Sequence, residues 1–432
     1  MTWYNKLNSY ILEVIYMDKI KVIGGKTLSG DIYISGSKNS VVSLIPAALL
    51  SDKVVIRKIP HISDVDNLEK ILSYLNVKYE FKDDSLYIDS SKLINKKIIS
   101  DYSTKLRASY YFMGALLGRY NKVKISLPGG CEIGARTFDY HLKAFEKMGA
   151  KITCVDDMFL IEAKKLVGAH IALPFPSVGA TVNTLLAAVK ADGETVIENA
   201  ACEPEIGNLI DLLISMGAKI SGKDTNHLII NGVSKLCGGS IEVIPDRIEA
   251  GTYILAGVMN GNNLRICDVE PSHLSSFFNV LDEMGADYRI DGNTVITNRA
   301  EKLKPVNIET KVYPGFATDL QQPITTLLVM ADGKSSVRET IYENRFQNTI
   351  YLNSMGADII RKGDTIYVTG PTKLEGRLVK TSDLRAGAAL ILAALSAEGE
   401  TTITDIKHLL RGYGDLIQKL SNVGAEIWLE DE

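Results

Sequence analysis

Met148-Gly149-Ala150 ends one helix-like run and opens a β-prone run, and the same three-residue pattern returns five more times along the chain. The other copies are Leu75-Asn76-Val77, Met216-Gly217-Ala218, Met284-Gly285-Ala286, Met355-Gly356-Ala357 and Val423-Gly424-Ala425. The central position moves from 76 to 149 at the widest step and from 149 to 217 at the narrowest, which is 73 and 68 residues. So regular a spacing predicts six repeats of about 70 residues each.

Each repeat contains two helix-like runs of different character. The first is apolar on every side, as in residues 184–189 and 388–395, and such a helix is expected to be buried. A Gly-containing turn and a β-prone run follow, for example at 193–198. The second helix is amphipathic, as in residues 208–216, and a β-hairpin follows it. The alternation of helices and strands predicts an α/β fold.

The repeats also predict how the chain divides. The sixth repeat stops before its last strand, whereas two β-prone segments near the N-terminus, 20–23 and 31–35, belong to no repeat. We therefore expect both segments to complete the sixth repeat. The predicted domains are residues 38–245, with repeats one to three, and residues 17–37 plus 246–432, with repeats four to six. Residues 1–16 are interpreted as an N-terminal extension.

Composition excludes several classes of protein. The 432 residues are 46% hydrophobic and 23% charged, with a net charge of −4, which is ordinary for a globular protein with substantial cores. No stripe of Lys and Arg dominates a long segment, so a nucleic-acid partner is not expected. The longest apolar helical run, at 386–397, is too short to cross a bilayer, so no membrane association is expected either. The oligomeric state is not predicted.

The five cysteines predict a reduced, cytoplasmic protein. They form no CxxC pair and lie far apart, so neither a disulfide framework nor a zinc site is expected. The first 16 residues lack the basic region and small-residue cleavage site of a secretory signal.

Residues with chemical potential recur in the loops that lead into the helices. Before the first helices lie Lys38-Asn39, Arg107, Ser177-Val178-Gly179, Asp246, Asp319 and Asp383-Leu384-Arg385. Before the second helices lie the segment from Cys131 to Tyr140, Glu203, Glu343-Asn344-Arg345 and Arg411. Helix N-termini carry free N–H groups and the positive end of the dipole, so Lys and Arg placed there predict a site for an anion such as phosphate. Any one of these residues alone is better interpreted as a cap or a solvated charge.

The loop Pro128-Gly129-Gly130-Cys131-Glu132-Ile133-Gly134-Ala135-Arg136 is the sharpest local motif. Its two adjacent glycines expose the backbone, and Arg136 favours the thiolate of Cys131 and the binding of an anion beside it. A lone cysteine is usually a small buried hydrophobe, and that interpretation is kept for Cys154 and Cys267. For Cys131 the loop favours a reactive role.

With these motifs the chain resembles the UDP-N-acetylglucosamine 1-carboxyvinyltransferases, a family of enolpyruvyl transferases. The resemblance runs from about residue 17 to the C-terminus and includes Ser35-Gly36-Ser37-Lys38-Asn39, the Cys131 loop, Thr318-Asp319-Leu320-Gln321 and Arg411-Gly412-Tyr413. It implies the inside-out α/β barrel, two domains of three βαβαββ repeats each. It also implies transfer of the enolpyruvyl group of phosphoenolpyruvate to the 3′-hydroxyl of UDP-GlcNAc, the first committed step of peptidoglycan synthesis, without a cofactor or a metal.

The resemblance implies a role for each matching residue. Cys131 would be the general acid and the target of fosfomycin, and Asp319 would act on the sugar hydroxyl. Phosphoenolpyruvate would be held by Lys38, Asn39, Arg136, Arg385 and Arg411, with Lys38 and Arg411 also catalytic. The UDP-GlcNAc site would include Asn39, Arg107, Arg136, Thr137, Phe138, Asp139, Tyr140, Ser177, Val178, Gly179, Asp319 and Ile341. Supporting residues would be Asp246, Glu203, Glu343 and Asp383.

The chain departs from the family pattern at four places, and two other functions stay open. Glu132 replaces a small residue, Thr137 and Ala317 each replace proline, and Gln322-Pro323 follows Leu320-Gln321. One alternative is transfer to shikimate 3-phosphate, whose enzyme shares the sixfold fold but lacks the PGGC loop. The other is a non-catalytic relative that binds UDP-GlcNAc. Cys131 is the residue that discriminates between the two transferases.

Overall fold

The computed structural model describes residues 19–98, 107–126, 138–155 and 158–430. The chain divides into two compact units. The central unit is Ser35–Ile244, and the terminal unit combines the residues up to Ile34 with Pro245–Glu432. Each unit contains three small sheets.

The central unit carries six helices and eleven strands in its described residues. The helices are α1 (Lys38–Ala47), α2 (Ser63–Tyr74), α3 (Tyr111–Tyr120), α4 (Asp139–Lys147), α5 (Val178–Ala188) and α6 (Pro204–Ser215). The strands are β3 (Lys53–Arg57), β4 (Lys78–Lys82), β5 (Ser85–Asp89), β6 (Lys122–Ser126), β7 (Lys151–Val155), β8 (Met158–Glu162), β9 (His170–Ala172), β10 (Glu194–Glu198), β11 (Lys219–Ser221), β12 (His227–Asn231) and β13 (Ser240–Glu242). Their sheet orders are β13-β3-β5-β4, β6-β8-β7 and β11-β12-β10-β9.

The terminal unit also carries six helices in its described residues. They are α7 (Arg247–Asn260), α8 (Ser275–Met284), α9 (Thr318–Leu328), α10 (Asn348–Ser354), α11 (Leu384–Ser396) and α12 (Leu416–Asn422). The strands are β1 (Lys19–Ile23), β2 (Leu28–Tyr33), β14 (Gly261–Cys267), β15 (Tyr288–Asp291), β16 (Thr294–Thr297), β17 (Asn307–Glu309), β18 (Gly333–Arg338), β19 (Asp358–Lys362), β20 (Thr365–Gly370), β21 (Leu378–Lys380), β22 (Glu400–Thr404) and β23 (Glu426–Glu430). Their sheet orders are β15-β16-β14-β2, β17-β18-β20-β19 and β21-β22-β1-β23.

The two N-terminal strands join different repeats, which corrects one expectation. β1 lies between β22 and β23, antiparallel to both, and so completes the sixth repeat. β2 pairs in parallel with β14 and is therefore the first strand of the fourth repeat. In the central unit β13 likewise pairs in parallel with β3 of the first repeat. The expectation that both N-terminal segments complete repeat six is wrong for the second, because a β-prone segment does not itself specify its partner.

The repeated tripeptide has a physical explanation in the structure. Its central residue follows the second helix of each repeat with positive φ, from 60° at Asn76 to 108° at Gly356. Glycine and asparagine tolerate this left-handed conformation, which closes a helix by a Schellman-type turn. In all six copies the N–H of the third residue donates to the carbonyl five residues earlier, at 2.9 to 3.0 Å. The preceding hydrophobe is buried in every copy.

The first helix of each repeat lies in the core of its unit. Residues of α5 and α11 are buried on every side, as their apolar composition predicts. In the terminal unit α7, α9 and α11 pack against one another, and in the central unit α3 packs against both α1 and α5. Polar side chains cap the N-termini of four of these helices, whereas Ala317 before α9 and Tyr110 before α3 make no side-chain cap. Within the described residues no helix has the length and apolarity to span a membrane.

We predict that the left-handed turn at Gly285 contributes to stability through backbone conformation alone. A Cβ added there would have no heavy atom within 4 Å, and φ is 74°. Gly285→Ala is expected to destabilise the protein by about 1 kcal/mol, and Gly285→Asn by less, because asparagine tolerates this conformation. Urea unfolding followed by circular dichroism measures the difference. Equal loss in both variants would contradict the conformational explanation.

Candidate functional site

Capping side chains end the loops that lead into four of the first helices. Ser37 caps α1 and Ser177 caps α5, each accepting the backbone N–H three residues later at 3.3 Å. Asp246 caps α7 and Asp383 caps α11, and each carboxylate accepts two backbone N–H groups at 2.9 and 3.0 Å. Two of the predicted supporting residues, Asp246 and Asp383, thus hold helix ends in place.

Asp319 lies between two arginines in the terminal unit. Its Oδ1 is 2.6 Å from Nη2 of Arg345, and its Oδ2 is 2.9 Å from Nη2 of Arg385. The two arginine side chains are each 4% exposed, while the carboxylate is 24% exposed. Asp319 is on the first turn of α9, Arg385 begins α11, and Arg345 comes from the loop before α10. One carboxylate therefore joins three segments that are distant in sequence.

The charges of this cluster are strongly coupled. Burial alone would raise the pKa of Asp319, but Arg385 and Arg345 outweigh burial and hold that pKa well below its usual range. Burial would lower the pKa of Arg385, yet Asp319 reverses the effect and raises it. Asp319 is therefore ionised at neutral pH.

Tyr413 extends the cluster from Arg385 toward the core. Nη1 of Arg385 donates to the Tyr413 hydroxyl at 3.5 Å, and that hydroxyl lies 2.9 Å from Oγ1 of Thr252. Since Thr252 donates to the carbonyl of Ile248, Tyr413 donates to Thr252 and keeps its lone pairs for Arg385. Burial raises the pKa of Tyr413, which is 1% exposed.

Lys38 in the central unit has a buried acidic partner. Its Nζ is 3.1 Å from Oδ2 of Asp64, a side chain with 0% exposure on the first turn of α2, while Lys38 itself is 13% exposed. Lys38 and Asn39 both belong to the first turn of α1. The ion pair fixes the lysine beside a helix N-terminus, where an anion is favoured.

Two segments of the predicted UDP-GlcNAc set lie together in the central unit. Phe138, which precedes α4, has its ring centroid 5.7 Å from that of Tyr110, and His141 packs 5.0 Å from the same ring. A Cβ on Gly179 would lie 2.8 Å from both Cε1 of His141 and the Tyr110 hydroxyl. His141 is anchored by Asn183 of α5, 2.9 Å from its Nδ1. The start of α4, with Asp139 and Tyr140, therefore packs against the start of α5, with Ser177 and Val178.

The other described candidates lie in loops and at the ends of helices. Arg411 ends the short 3-10 helix Ile406–Arg411 and is half-buried. Ile341 is half-buried in the loop after β18, and Glu343 is exposed two residues later. Glu203 directly precedes α6. Arg107 begins the 3-10 helix Arg107–Tyr110.

Cys131, Arg136 and Thr137 lie outside the described residues. Their predicted roles in proton transfer, phosphate binding and UDP-GlcNAc binding stay predictions. In the parts of the chain that the structure describes, no group of three or more His, Cys, Asp or Glu side chains is arranged to hold a metal ion.

The structure connects to the candidates four residues to which the sequence motifs assigned no role. They are Arg345, Tyr413, Asp64 and Glu339. The motifs that contain Arg345 and Tyr413 were a signal that reasoning from the sequence left unused. Asp64 and Glu339 resemble an ordinary first-turn acid and a strand-end acid, so no local signal marks them.

The chain matches one protein family over almost its whole length. The family model of EPSP synthase (3-phosphoshikimate 1-carboxyvinyltransferase) matches residues 22–420. UDP-N-acetylglucosamine 1-carboxyvinyltransferase 2 of Streptococcus mutans is 48% identical over 419 residues, 96% of this chain and 100% of the relative. The enzyme of the same name from Bacillus subtilis is 47% identical over 418 residues, 96% of this chain and 97% of the relative.

Solved structures share the fold. The enolpyruvyl transferase NikO from Streptomyces tendae superposes with a TM-score of 0.89 at 26% identity, over 96% of this chain and 99% of that one. EPSP synthase from Acinetobacter baumannii gives 0.73 at 18% identity, over 96% and 100%, and shows the fold alone. The fold class predicted from the repeats and the resemblance is confirmed.

These matches define a carboxyvinyltransferase with the enolpyruvyl transferase fold. Within that class, identity near 48% over almost the whole chain decides between the two acceptor families considered above. The chain belongs to the family of UDP-N-acetylglucosamine 1-carboxyvinyltransferases, and the resemblance stated from the sequence motifs is confirmed.

We predict that the Asp319 cluster makes the free energy of unfolding of the protein depend on pH in the acid range. Because the folded pKa of Asp319 lies below the unfolded value, its ion pairs stabilise the fold above pH about 4 and are lost as pH falls toward the folded pKa. Asp319→Asn should cost about 2 kcal/mol at pH 7, less than for a fully buried pair because the carboxylate is partly exposed.

Thermal unfolding of the wild type and Asp319→Asn between pH 2 and 7 tests this, as the gap between the two midpoints should stay constant down to pH about 4 and narrow progressively below it. Asp364→Asn is the matched control, since Asp364 pairs with Arg338 at 3.0 Å on the surface, where the loss should be small. A constant gap between wild type and Asp319→Asn at every pH would contradict the assignment.

Proposed function

We propose that this protein transfers the enolpyruvyl group of phosphoenolpyruvate to the 3′-hydroxyl of UDP-N-acetylglucosamine and releases phosphate, the first committed step of peptidoglycan synthesis. Relatives at 47 and 48% identity bear the name of this activity. The structural observation that carries the proposal is the carboxylate of Asp319 held between two buried guanidinium groups. Paired guanidinium groups are suited to bind a substrate carboxylate, and Asp319 already occupies them with one.

The reaction balances in two steps. The sugar oxygen adds to C2 of phosphoenolpyruvate as its hydroxyl proton leaves, and a proton adds to the methylene carbon C3. The resulting tetrahedral ketal then loses phosphate from C2 and a proton from C3, which restores the double bond. The site must therefore supply an acid near C3, a group for the sugar hydroxyl, and cations for the phosphate and carboxylate.

The family resemblance supplies these groups. Cys131 is the acid at C3, and Asp319 acts on the sugar hydroxyl. Lys38, Arg136 and Arg411 hold the phosphate, and Arg385 holds the carboxylate. No step requires a metal or an organic cofactor.

Arg345 joins Arg385 as a second ligand for the carboxylate of phosphoenolpyruvate. In the structure both guanidinium groups contact the carboxylate of Asp319, Arg345 at Oδ1 and Arg385 at Oδ2. Tyr413 orients Arg385 from the core side. A substrate carboxylate that enters between the two arginines competes with Asp319 for the same donors.

This competition determines when Asp319 can act as a base. While both arginines bind it, Asp319 is a weak base, because they hold its pKa well below the usual range. When phosphoenolpyruvate takes over their N–H groups, part of that charge is offset and the pKa of Asp319 rises. Asp319 then accepts the proton of the sugar hydroxyl, so the base becomes effective once the second substrate is in place.

The starts of α4 and α5 form the UDP-GlcNAc part of the site. The free N–H groups of Val178 and Gly179 on the first turn of α5 suit the diphosphate. His141 and Tyr110 press against Gly179, so a side chain at that position would displace the turn. The residues from Phe138 to Tyr140 border this turn, which fits their assignment to the UDP-GlcNAc site from the family resemblance.

We also propose that the protein is cytoplasmic, since the spacing of its cysteines is typical of a reduced compartment.

We predict that phosphate release requires UDP-GlcNAc and phosphoenolpyruvate together. Cys131→Ala should lower the rate by about a hundredfold or more near neutral pH, since it removes the general acid. The control is Cys154→Ala, which should retain activity. Cys154 is exposed because β7 is an edge strand of its sheet, so the expectation that it is a buried hydrophobe is wrong, whereas Cys267 is buried as expected. Turnover with shikimate 3-phosphate but none with UDP-GlcNAc would support the alternative acceptor, and calorimetric binding of UDP-GlcNAc without turnover would support a non-catalytic relative.

We also predict that Arg345→Lys raises the KM for phosphoenolpyruvate by about tenfold, because lysine keeps the charge but loses the planar fork. The dissociation constant of UDP-GlcNAc from calorimetry should stay unchanged. Arg338→Lys, at an exposed arginine of the same unit, serves as the matched control. A normal KM in Arg345→Lys would remove Arg345 from the carboxylate site.

A further inference from the structure

Glu339 is a buried carboxylate that the reaction as described does not use. It follows β18 directly in the terminal unit and is 2% exposed. A charged group is costly to bury unless donors surround it, so its position calls for an explanation in terms of those donors.

Four donors converge on Glu339. Its Oε1 accepts from the Thr310 hydroxyl at 2.8 Å and from the backbone N–H groups of Ile341 and Tyr342 at 2.8 and 3.0 Å. Its Oε2 accepts from the Thr318 hydroxyl at 2.8 Å. Three of these donors share Oε1 and one contacts Oε2, so both oxygens of the buried carboxyl group act as acceptors.

The first arm of these contacts connects Glu339 to Asp319, the proposed base, through Thr318 and Arg345. Thr318 gives its hydroxyl hydrogen to Glu339 and accepts from Nη1 of Arg345 at 2.9 Å. Nη2 of the same arginine contacts Asp319 at 2.6 Å, and Thr318 is also the chain neighbour of Asp319. Because Oε2 of Glu339 accepts the hydroxyl hydrogen of Thr318, a lone pair of that hydroxyl faces Nη1 of Arg345 and orients the guanidinium group.

The other arm leads to the turn that carries Ile341. Two successive N–H groups of the turn point at Oε1, and Thr340 donates its N–H to Oγ1 of Thr310 at 2.9 Å. Thr310 in turn donates its hydroxyl hydrogen to Glu339. The backbone on either side of Ile341 is thus held by the carboxylate that also orients Arg345.

We propose that Glu339 is a positioning residue that ties the Ile341 turn, on the acceptor-sugar side of the site, to the Arg345–Asp319 pair, on the phosphoenolpyruvate side. The inference rests on the proposed function, because it takes Ile341 and Arg345 as substrate contacts. Glu339 itself touches neither substrate. A glutamine fits the same space but brings two N–H donors, so one of the two arms meets a donor instead of an acceptor.

The test separates the two arms with three variants. Thr318→Val keeps the shape of the side chain and removes its hydrogen bonds to Glu339 and Arg345, while the contacts of Glu339 with the Ile341 turn remain. The KM for phosphoenolpyruvate should therefore rise about tenfold, while the dissociation constant of UDP-GlcNAc changes by less than about twofold. Thr318→Ser keeps the hydroxyl and should restore the wild-type KM. Glu339→Gln acts on both arms, and both constants should rise.

Thr326→Val is the matched control. Thr326 is a buried threonine of the same helix α9 whose hydroxyl donates to the carbonyl of Ala389 at 3.1 Å, outside the Glu339 contacts. Its loss should lower the thermal midpoint without changing either substrate constant. In the double variant Thr318→Val with Glu339→Gln, the rise in KM for phosphoenolpyruvate should be smaller than the product of the two single effects.

Different failures are distinguishable. A stable Glu339→Gln with both substrate constants unchanged would overturn the inference, as would a Thr318→Val indistinguishable from Thr318→Ser. If Glu339→Gln does not fold, the Thr318 pair alone decides. A wild-type protein that releases no phosphate from the two substrates would refute the proposed function instead, whereas wild-type turnover with insensitive variants would refute only the role of Glu339.

Discussion

A helix that is apolar on every side is stable only when other elements cover it completely, and this constraint organises both units of the protein. The first helices of the repeats meet the requirement by packing against one another in the cores, with small sheets and amphipathic helices around them. Three repeats together supply the cover that one repeat lacks. The N-terminal N–H groups of these helices need acceptors, and in four of the six helices a Ser or Asp side chain supplies one.

The described residues of the candidate site lie mostly at or next to those helix N-termini. Asp383 and Asp246 satisfy the backbone at the starts of α11 and α7, so neighbouring side chains are held where a cap has already fixed the chain. Arg385 and Asp319 project from two such starts and meet across adjacent helices. Helix ends also favour anions, which suits two substrates that both carry phosphate. The helix N-termini that need acceptors for stability are therefore also the positions that carry the proposed chemistry.

Buried charge in the terminal unit is organised as a continuous set of polar contacts. It runs from Glu339 through Thr318 and Arg345 to Asp319, and on through Arg385 to Tyr413. Hydroxyl groups lie at Thr318 and Tyr413, and the charges from Arg345 through Asp319 to Arg385 alternate in sign, so each charge has a partner of opposite sign or a matched dipole. Such networks are costly to disturb because each member left without a partner pays its desolvation. The set is consequently a rigid frame with one partly exposed carboxylate.

The six-repeat organisation, the buried first helices and the left-handed turns were predictable from the sequence, because steric limits at Gly or Asn and the apolar periphery of a helix are local properties. Lys38, Asp319 and Arg385 were recognisable through motifs, while Cys131 and Arg136 keep their predicted roles outside the described residues. The partners of those residues were not predictable. Which strand β2 joins, that Asp64 faces Lys38, and that Glu339 binds Thr318 are decided by packing between distant segments. A carboxylate has the same local sequence whatever cation or hydroxyl it meets, so only the tertiary structure settles its neighbours.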